Sequence, residues 1–150
     1  MDILRIMALD YGEKRIGVAM SDLLCIGANP VETYNRTTLE ADLNHIAALC
    51  KQHGVDLVVL GWPRNMNGTE GPRCEATAAF GRELEKVLTC PMDICDERLT
   101  TITAERILMD ADMSREKRRK VIDKMAAVVL LQGYLDAKAY LKRRTLPWAT

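Results

Sequence analysis

Apolar positions along this chain change their period in a way that lays out its elements. Two β-rich runs come first, Ile3 to Leu9 and Ile16 to Met20, separated by Asp10-Tyr11-Gly12-Glu13-Lys14-Arg15. Short aliphatic runs broken by glycine and charge are strand signals, and this pair predicts a hairpin with the Asp10 carboxylate at its tip. Val31 to Tyr34 predicts a third strand behind Pro30. The period then lengthens. Leu39, Leu43, Ile46, Ala47 and Cys50 share one helical face, and His53-Gly54 supplies a stop. Asp56 to Gly61 is almost continuously apolar, as a strand covered on both faces must be. Beyond a loop from Trp62 to Gly71, the pattern predicts a helix over Pro72 to Leu88 and a strand over Met92 to Cys95. A helix over about Thr101 to Asp110, a basic linker and a last helix to about Lys142 complete the chain.

The order βββαβαβαα predicts an α/β fold of ribonuclease H-like type, a five-stranded mixed sheet flanked by helices. Three strands pair in front, and two more enter through helical crossovers. Right-handed crossovers set the strands ending at Asp10 and near Gly61 side by side and parallel. With 150 residues, the chain is expected to be one domain over 1–150 with an adequate core.

Charge and cysteine change this picture in two respects. Formal net charge is zero, yet residues 114–150 hold ten Lys/Arg against three Asp/Glu, so the neutral total hides a basic C-terminal third. The five cysteines are scattered, with no Cys-x-x-Cys spacing, which argues against a disulfide framework or a zinc site and for reduced thiols in a cytoplasmic protein. Asp2 and Arg5 interrupt any apolar leader, and no run reaches membrane-spanning length.

The candidate chemistry lies in three acids. Asp10 closes the first strand, Glu97 in Asp96-Glu97-Arg98-Leu99-Thr100-Thr101 stands where a strand becomes a helix, and Asp123 is the odd residue on a face, expected to be buried or site-facing, of the otherwise strongly apolar helix Lys120 to Asp136. Each alone reads as readily as a turn residue or a helix cap. Together they place carboxylates at the strand ends where α/β sheets gather ligands. Clustered carboxylates repel unless a cation stands between them, and an oxygen-only donor set selects Mg²⁺ or Mn²⁺. Two such ions suit phosphodiester hydrolysis without a histidine base, and His45 and His53 lie away from these motifs.

Two further segments bear on a polyanionic substrate. The loop Gly61 to Pro72 leads into a helix N-terminus, where backbone amides can face a phosphate, although tight turns at Gly68 and Gly71 explain it equally well. Trp62 is expected to pack rather than to stack on a base. Arg115, Lys117, Arg118, Arg119, Lys120 and Lys124 surround Asp123, and Lys138, Lys142, Arg143 and Arg144 extend the charge along the last helix. A charge run is usually a solvated face; beside a metal site it suits a nucleic acid.

Leu9 to Asp22, Gly61 to Pro72, Asp96 to Thr101 and Lys120 to Asp136 together resemble the YqgF (RuvX) family, over almost the whole chain. The resemblance implies a ribonuclease H-like nuclease using a divalent metal, acting in the bacterial cytoplasm on the 5′ end of 16S ribosomal RNA precursor, free or in an immature ribosomal particle. Family members have also been viewed as Holliday-junction resolvases acting on branched DNA. The family's acidic positions fall on Asp10, Glu97 and Asp123; Arg15, Asn67 and Arg98 are candidate phosphate or positioning contacts, and Arg118, Arg119 and Lys120 of the basic run are candidate nucleic-acid contacts. Trp62 stands where a smaller aliphatic residue is more familiar, which bears on the loop and not on the acids. A monomer or a homodimer fits this reading. Two other classes compete with it. An actin-like ATPase shares the Asp-x-Gly turn but needs a second lobe, for which this chain has no room. A non-catalytic nucleic-acid-binding module has no need of all three acids.

Overall fold

Ile6–Tyr11 (β1) forms the middle of the sheet because its side chains are apolar on both faces, Ile6 and Ala8 toward one side, Met7 and Leu9 toward the other, all fully buried. The computed structural model describes residues 4–64, 67–97 and 114–149, the side chains of residues 115 and 118–124 excepted. Among these residues the sheet has five strands in the order β3-β2-β1-β4-β5. Arg15–Ser21 (β2) pairs antiparallel with β1 and with Ala28–Asn35 (β3), Leu57–Trp62 (β4) pairs parallel with β1, and Met92–Asp96 (β5) pairs parallel with β4. This is the ribonuclease H-like arrangement that the order of elements predicts.

Leu39–His53 (α1) starts at Thr38, whose side chain accepts from Ala41 N–H, and ends at Gly54 in the left-handed conformation (φ 63°). Pro72–Val87 (α2) starts with proline in its first turn, where the missing N–H costs nothing. Both helices pack on one face of the sheet, where Leu43, Ile46, Phe80 and Leu84 meet Met7, Leu9, Val58 and Leu60. The opposite face is covered by Arg115–Asp136 (α3) through Ala127, Leu130, Leu131, Tyr134 and Leu135. Small residues on this face of the sheet, Ala8 and Ala19, let α3 approach closely.

Three expectations are refined. Asp10 is not at a hairpin tip: it pairs with Gly17 inside the ladder, and the turn lies beyond it, closed by Gly12 N–H donating to Arg15 O at 2.9 Å. The last helix stops at Asp136 and not near Lys142, because Lys138 turns left-handed (φ 51°) before a short 3-10 turn over Ala139–Leu141. Lys138, Lys142, Arg143 and Arg144 therefore leave the helix axis, and the Arg144 amide folds back to donate to Asp93 at 3.1 Å. The helix expected over Thr101 to Asp110 lies outside the described residues.

Candidate active site at the carboxyl edge of the sheet

The alternation of β1, β4 and β5 decides which side chains meet. Tyr11 faces the α1–α2 side, where its ring stacks on Phe80 at 4.3 Å, so Asp10 faces α3. Gly17 on β2 is Asp10's ladder partner, and a Cβ there would stand 3.6 Å from Asp10 Cβ and 3.4 Å from Ala127 Cβ. On the other side, Leu9 pairs with Leu60, which sets Gly61 beside Asp10 in the parallel ladder. A Cβ at Gly61 would stand only 2.5 Å from Glu97 Oε1 and 3.1 Å from Leu130 Cδ2. Two strand residues flanking Asp10 thus lack side chains, and the Glu97 carboxylate fills the space left over β4.

Asp10 and Glu97 are hydrogen-bonded to each other. Burial first, then the Asp10 charge and that hydrogen bond, push the Glu97 carboxyl up to about 8, with Arg73 at the start of α2 partly offsetting the shift. The pair has the electrostatics of two acids sharing one space. Asp123 lies on α3, one helical turn before Ala127 and so on the same helical face; its side chain is outside the described residues. Among the described residues no group of three His, Cys, Asp or Glu side chains is gathered for a metal, so the described part of the site is a pair of acids.

The turn after β1 is clamped from the far face. Arg36 Nη1 donates to Gly12 O at 3.1 Å and Glu13 O at 2.9 Å, its Nε donates to the buried Asp42 at 3.1 Å, and its guanidinium carbon lies 4.5 Å from the Tyr11 ring centroid. Tyr11, Gly12, Glu13, Arg36, Pro72 and Arg73 line part of a cleft of about 290 Å³ at this edge.

Of the proposed nucleic-acid contacts, Arg15 is exposed at the start of β2, on the Asp10 side of the sheet. Asn67 is exposed in the loop before α2, where its side chain accepts from Thr69 N–H at 3.0 Å and Thr69 Oγ1–H at 2.6 Å. Arg118, Arg119 and Lys120 are on the first turns of α3 with side chains outside the described residues, and Arg98 lies outside them altogether. Trp62 is a packing residue: it is 2% exposed, its Nε1 donates to Glu70 at 3.2 Å, and its ring lies 6.5 Å from that of Trp148. His45 pairs with Glu32 at 2.6 Å and stacks on Tyr34, on the sheet face opposite Asp10. Arg36 and Arg73 escaped the sequence reading because their partners are distant along the chain. Gly17 and Gly61 carried a usable signal, since glycine inside a strand marks close approach.

The family described as "RuvX: Holliday junction resolvase" matches residues 4–137. The chain belongs to this family. Its relatives include proteins named "Putative pre-16S rRNA nuclease" from Heliobacterium modesticaldum, 53% identical over 92% of this chain and 93% of that protein. Another, from Symbiobacterium thermophilum, is 54% identical over 91% of this chain and 94% of the relative. The Bacillus subtilis relative is 50% identical over 89% of this chain and 99% of its own. Among solved structures, Thermus thermophilus RuvC in complex with a Holliday junction substrate superposes with a TM-score of 0.62 at 6% identity, covering 94% of this chain and 98% of that one. At that identity the likeness is one of fold, and it agrees with the ribonuclease H-like topology of the sheet.

Proposed function

We propose that this chain is a metal-dependent endonuclease that hydrolyses phosphodiesters in 16S ribosomal RNA precursor at its 5′ end, with Asp10, Glu97 and Asp123 as its metal-holding and catalytic acids. The observation that carries this reading is the meeting of Asp10, on the first strand, and Glu97, the residue just past the last strand, over the space left by Gly61. The acids fit a divalent cation: they are hydrogen-bonded oxygen donors whose joint ionisation is opposed by burial and by each other. Mg²⁺ or Mn²⁺ held there would supply a nucleophilic water and charge stabilisation at the leaving oxygen.

The remaining work falls to the chain itself. The parallel ladder β1-β4-β5 fixes both acids on one rigid edge, and the Arg36 clamp holds the turn that follows Asp10. Arg73, whose charge reaches Glu97, is suited to a substrate phosphate arriving at the same edge. Arg15, Asn67, Arg98, Arg118, Arg119 and Lys120 would contact and orient the nucleic-acid strand. Names of the relatives support ribosomal precursor RNA as substrate. A second reading, resolution of four-way DNA junctions, is favoured by the family's description.

One experiment separates them. A labelled 16S precursor leader and a four-way DNA junction are incubated with wild type and Asp10→Asn in Mg²⁺ or Mn²⁺. Cleavage of the leader, lost by at least about 10³-fold in the variant while its circular dichroism is unchanged, is the expected result. Cleavage of the junction alone would transfer the assignment to the resolvase, and undiminished cleavage by Asp10→Asn would overturn the site.

A further inference from the structure

α3 lies chiefly over β1, β2 and β3, which leaves a gap on the same face of the sheet above β5, the last strand in the order. The chain that follows α3 comes back over this gap. After Lys138 turns left-handed, Leu141 N–H donates to Lys138 O at 3.0 Å, and the Arg144 amide is tied to Asp93 on β5 at 3.1 Å. Further on, Trp148 is buried on the opposite face, so close to α2 that a Cβ at Gly81 would stand 2.5 Å from its ring. The segment between is therefore pinned at both ends. Ala139, Lys142 and Arg144 all lie beyond residue 137, where the match to the family ends.

Beneath this segment is a cavity of about 250 Å³. Cys95 lies on its floor, Tyr134, Ala137 and Ala139 form an apolar wall, and the exposed Lys142 and Arg144 stand at its mouth. Two acids also line it, but neither presents a free charge to the opening. Asp93 is 1% exposed and already accepts from Tyr134, Ile94 and Arg144, while Asp96 is buried and is turned by the alternation of β5 toward the face of Met92 and Ile94. The charges that a ligand meets on entry are the two cations.

Resting on the nuclease reading above, we propose that this cavity takes one unpaired nucleotide of the substrate strand, its base against the apolar wall and its phosphate on Lys142 and Arg144. Position and size both favour that occupant. Cys95 and Glu97 serve the same face two residues apart, so at about 3.3 Å per residue the cavity begins roughly 7 Å along the strand from Glu97. A strand with one phosphate at the acids reaches it within a few nucleotides. The volume falls below the roughly 300 Å³ at which pockets for drug-sized ligands begin, which leaves room for one base and no more. A duplex cannot enter, because its bases are stacked and paired, whereas an unpaired base can be splayed out. The site thus selects a single-stranded segment beside the point of cleavage.

Binding of a short labelled single-stranded RNA, and of the same RNA in a duplex, is measured by fluorescence anisotropy with the full chain in chelator, so that no cleavage intervenes. Ala137→Trp, which fills the mouth without changing charge, should weaken single-strand binding about tenfold and leave duplex binding and the salt dependence unaltered. Lys142→Ala with Arg144→Ala should instead lower the slope of log K against log salt by about 0.7 for each phosphate released. In wild type, 4-thiouridine placed in the single strand should photo-cross-link to residues 93–96 or 133–144, a readout that needs no variant to fold. Single-strand binding by Ala137→Trp equal to wild type would overturn the proposal, as would cross-links confined to other parts of the chain. A free mononucleotide bound as tightly as the strand would overturn it in favour of a small-molecule site. A chain that cuts the leader but shows none of these effects loses this site and keeps the nuclease assignment; one that shows them and cuts nothing loses the assignment and keeps the site.

Discussion

Glu97 is held where an ordinary carboxylate is least at ease, and this makes its protonation a stability term. Its folded-state value, pushed up to about 8, lies above the usual carboxylate range, so between that range and pH 8 the metal-free folded protein keeps a proton that the unfolded chain releases. Raising the pH through this window therefore destabilises the metal-free fold. Glu97→Gln removes the effect: in chelator, the variant should melt above wild type at pH 8 and close to it at pH 5. Added Mg²⁺ should raise the wild-type Tm more at pH 8 than at pH 5, and the variant's scarcely at all. Equal Mg²⁺ shifts in both proteins would count against a cation between the two acids. Asp10 and Glu97 were legible in the sequence because an acid that closes an apolar run is conspicuous. The partners that shape their surroundings were not, since Arg36 reaches back to Gly12 and Glu13 through the tertiary fold and not through any local pattern.

Elements were legible where one period dominates and misread where chemistry without a period ends them. The nearly unbroken apolar run of β4 and the spaced leucines of α1 announced themselves, and Gly54 marked the end of α1. The end of α3 had no such marker: Lys138 takes the left-handed turn that a glycine would have advertised. What holds the segment after α3 is a buried carboxylate on β5. Asp93, 1% exposed, accepts from Tyr134 Oη–H at 2.5 Å, Ile94 N–H at 2.8 Å and Arg144 N–H at 3.1 Å. Burial and Asp93 push the Tyr134 hydroxyl up, so it remains a donor. Tyr134→Phe leaves Asp93 with one fewer partner and should cost about 1–3 kcal/mol in urea unfolding, with faster hydrogen exchange at the Arg144 amide. An unchanged unfolding midpoint would show that the hydroxyl contributes nothing to anchoring this segment.

At the scale of the molecule, the sequence yielded topology more readily than surface. Element order and crossover handedness are enough to draw the sheet, whereas the direction in which basic side chains point depends on where helices end. The concentration of Lys and Arg after residue 113 nevertheless has a measurable consequence. Binding of precursor RNA should weaken steeply with salt, and Arg118→Ala with Arg119→Ala should lower the slope of log K against log salt by about 0.7 for each phosphate that is no longer neutralised. Asn67→Ala, which removes no charge, should leave that slope unaltered. A slope insensitive to the arginine pair would move the substrate to another face.

The wide sequence separation of the two acids also sets a clock. Asp10 is made with the first strand and Glu97 only after the last, and α3, which covers their face of the sheet, follows later still. A nascent chain that has emerged only as far as β4 has a hairpin, a crossover and one acid. Pairings this distant along a chain form late, after the loops between them have closed. On the function proposed above, the chain has no paired acids to work with while it is being translated, and it gains them only after β5 and then α3 have left the ribosome that made it.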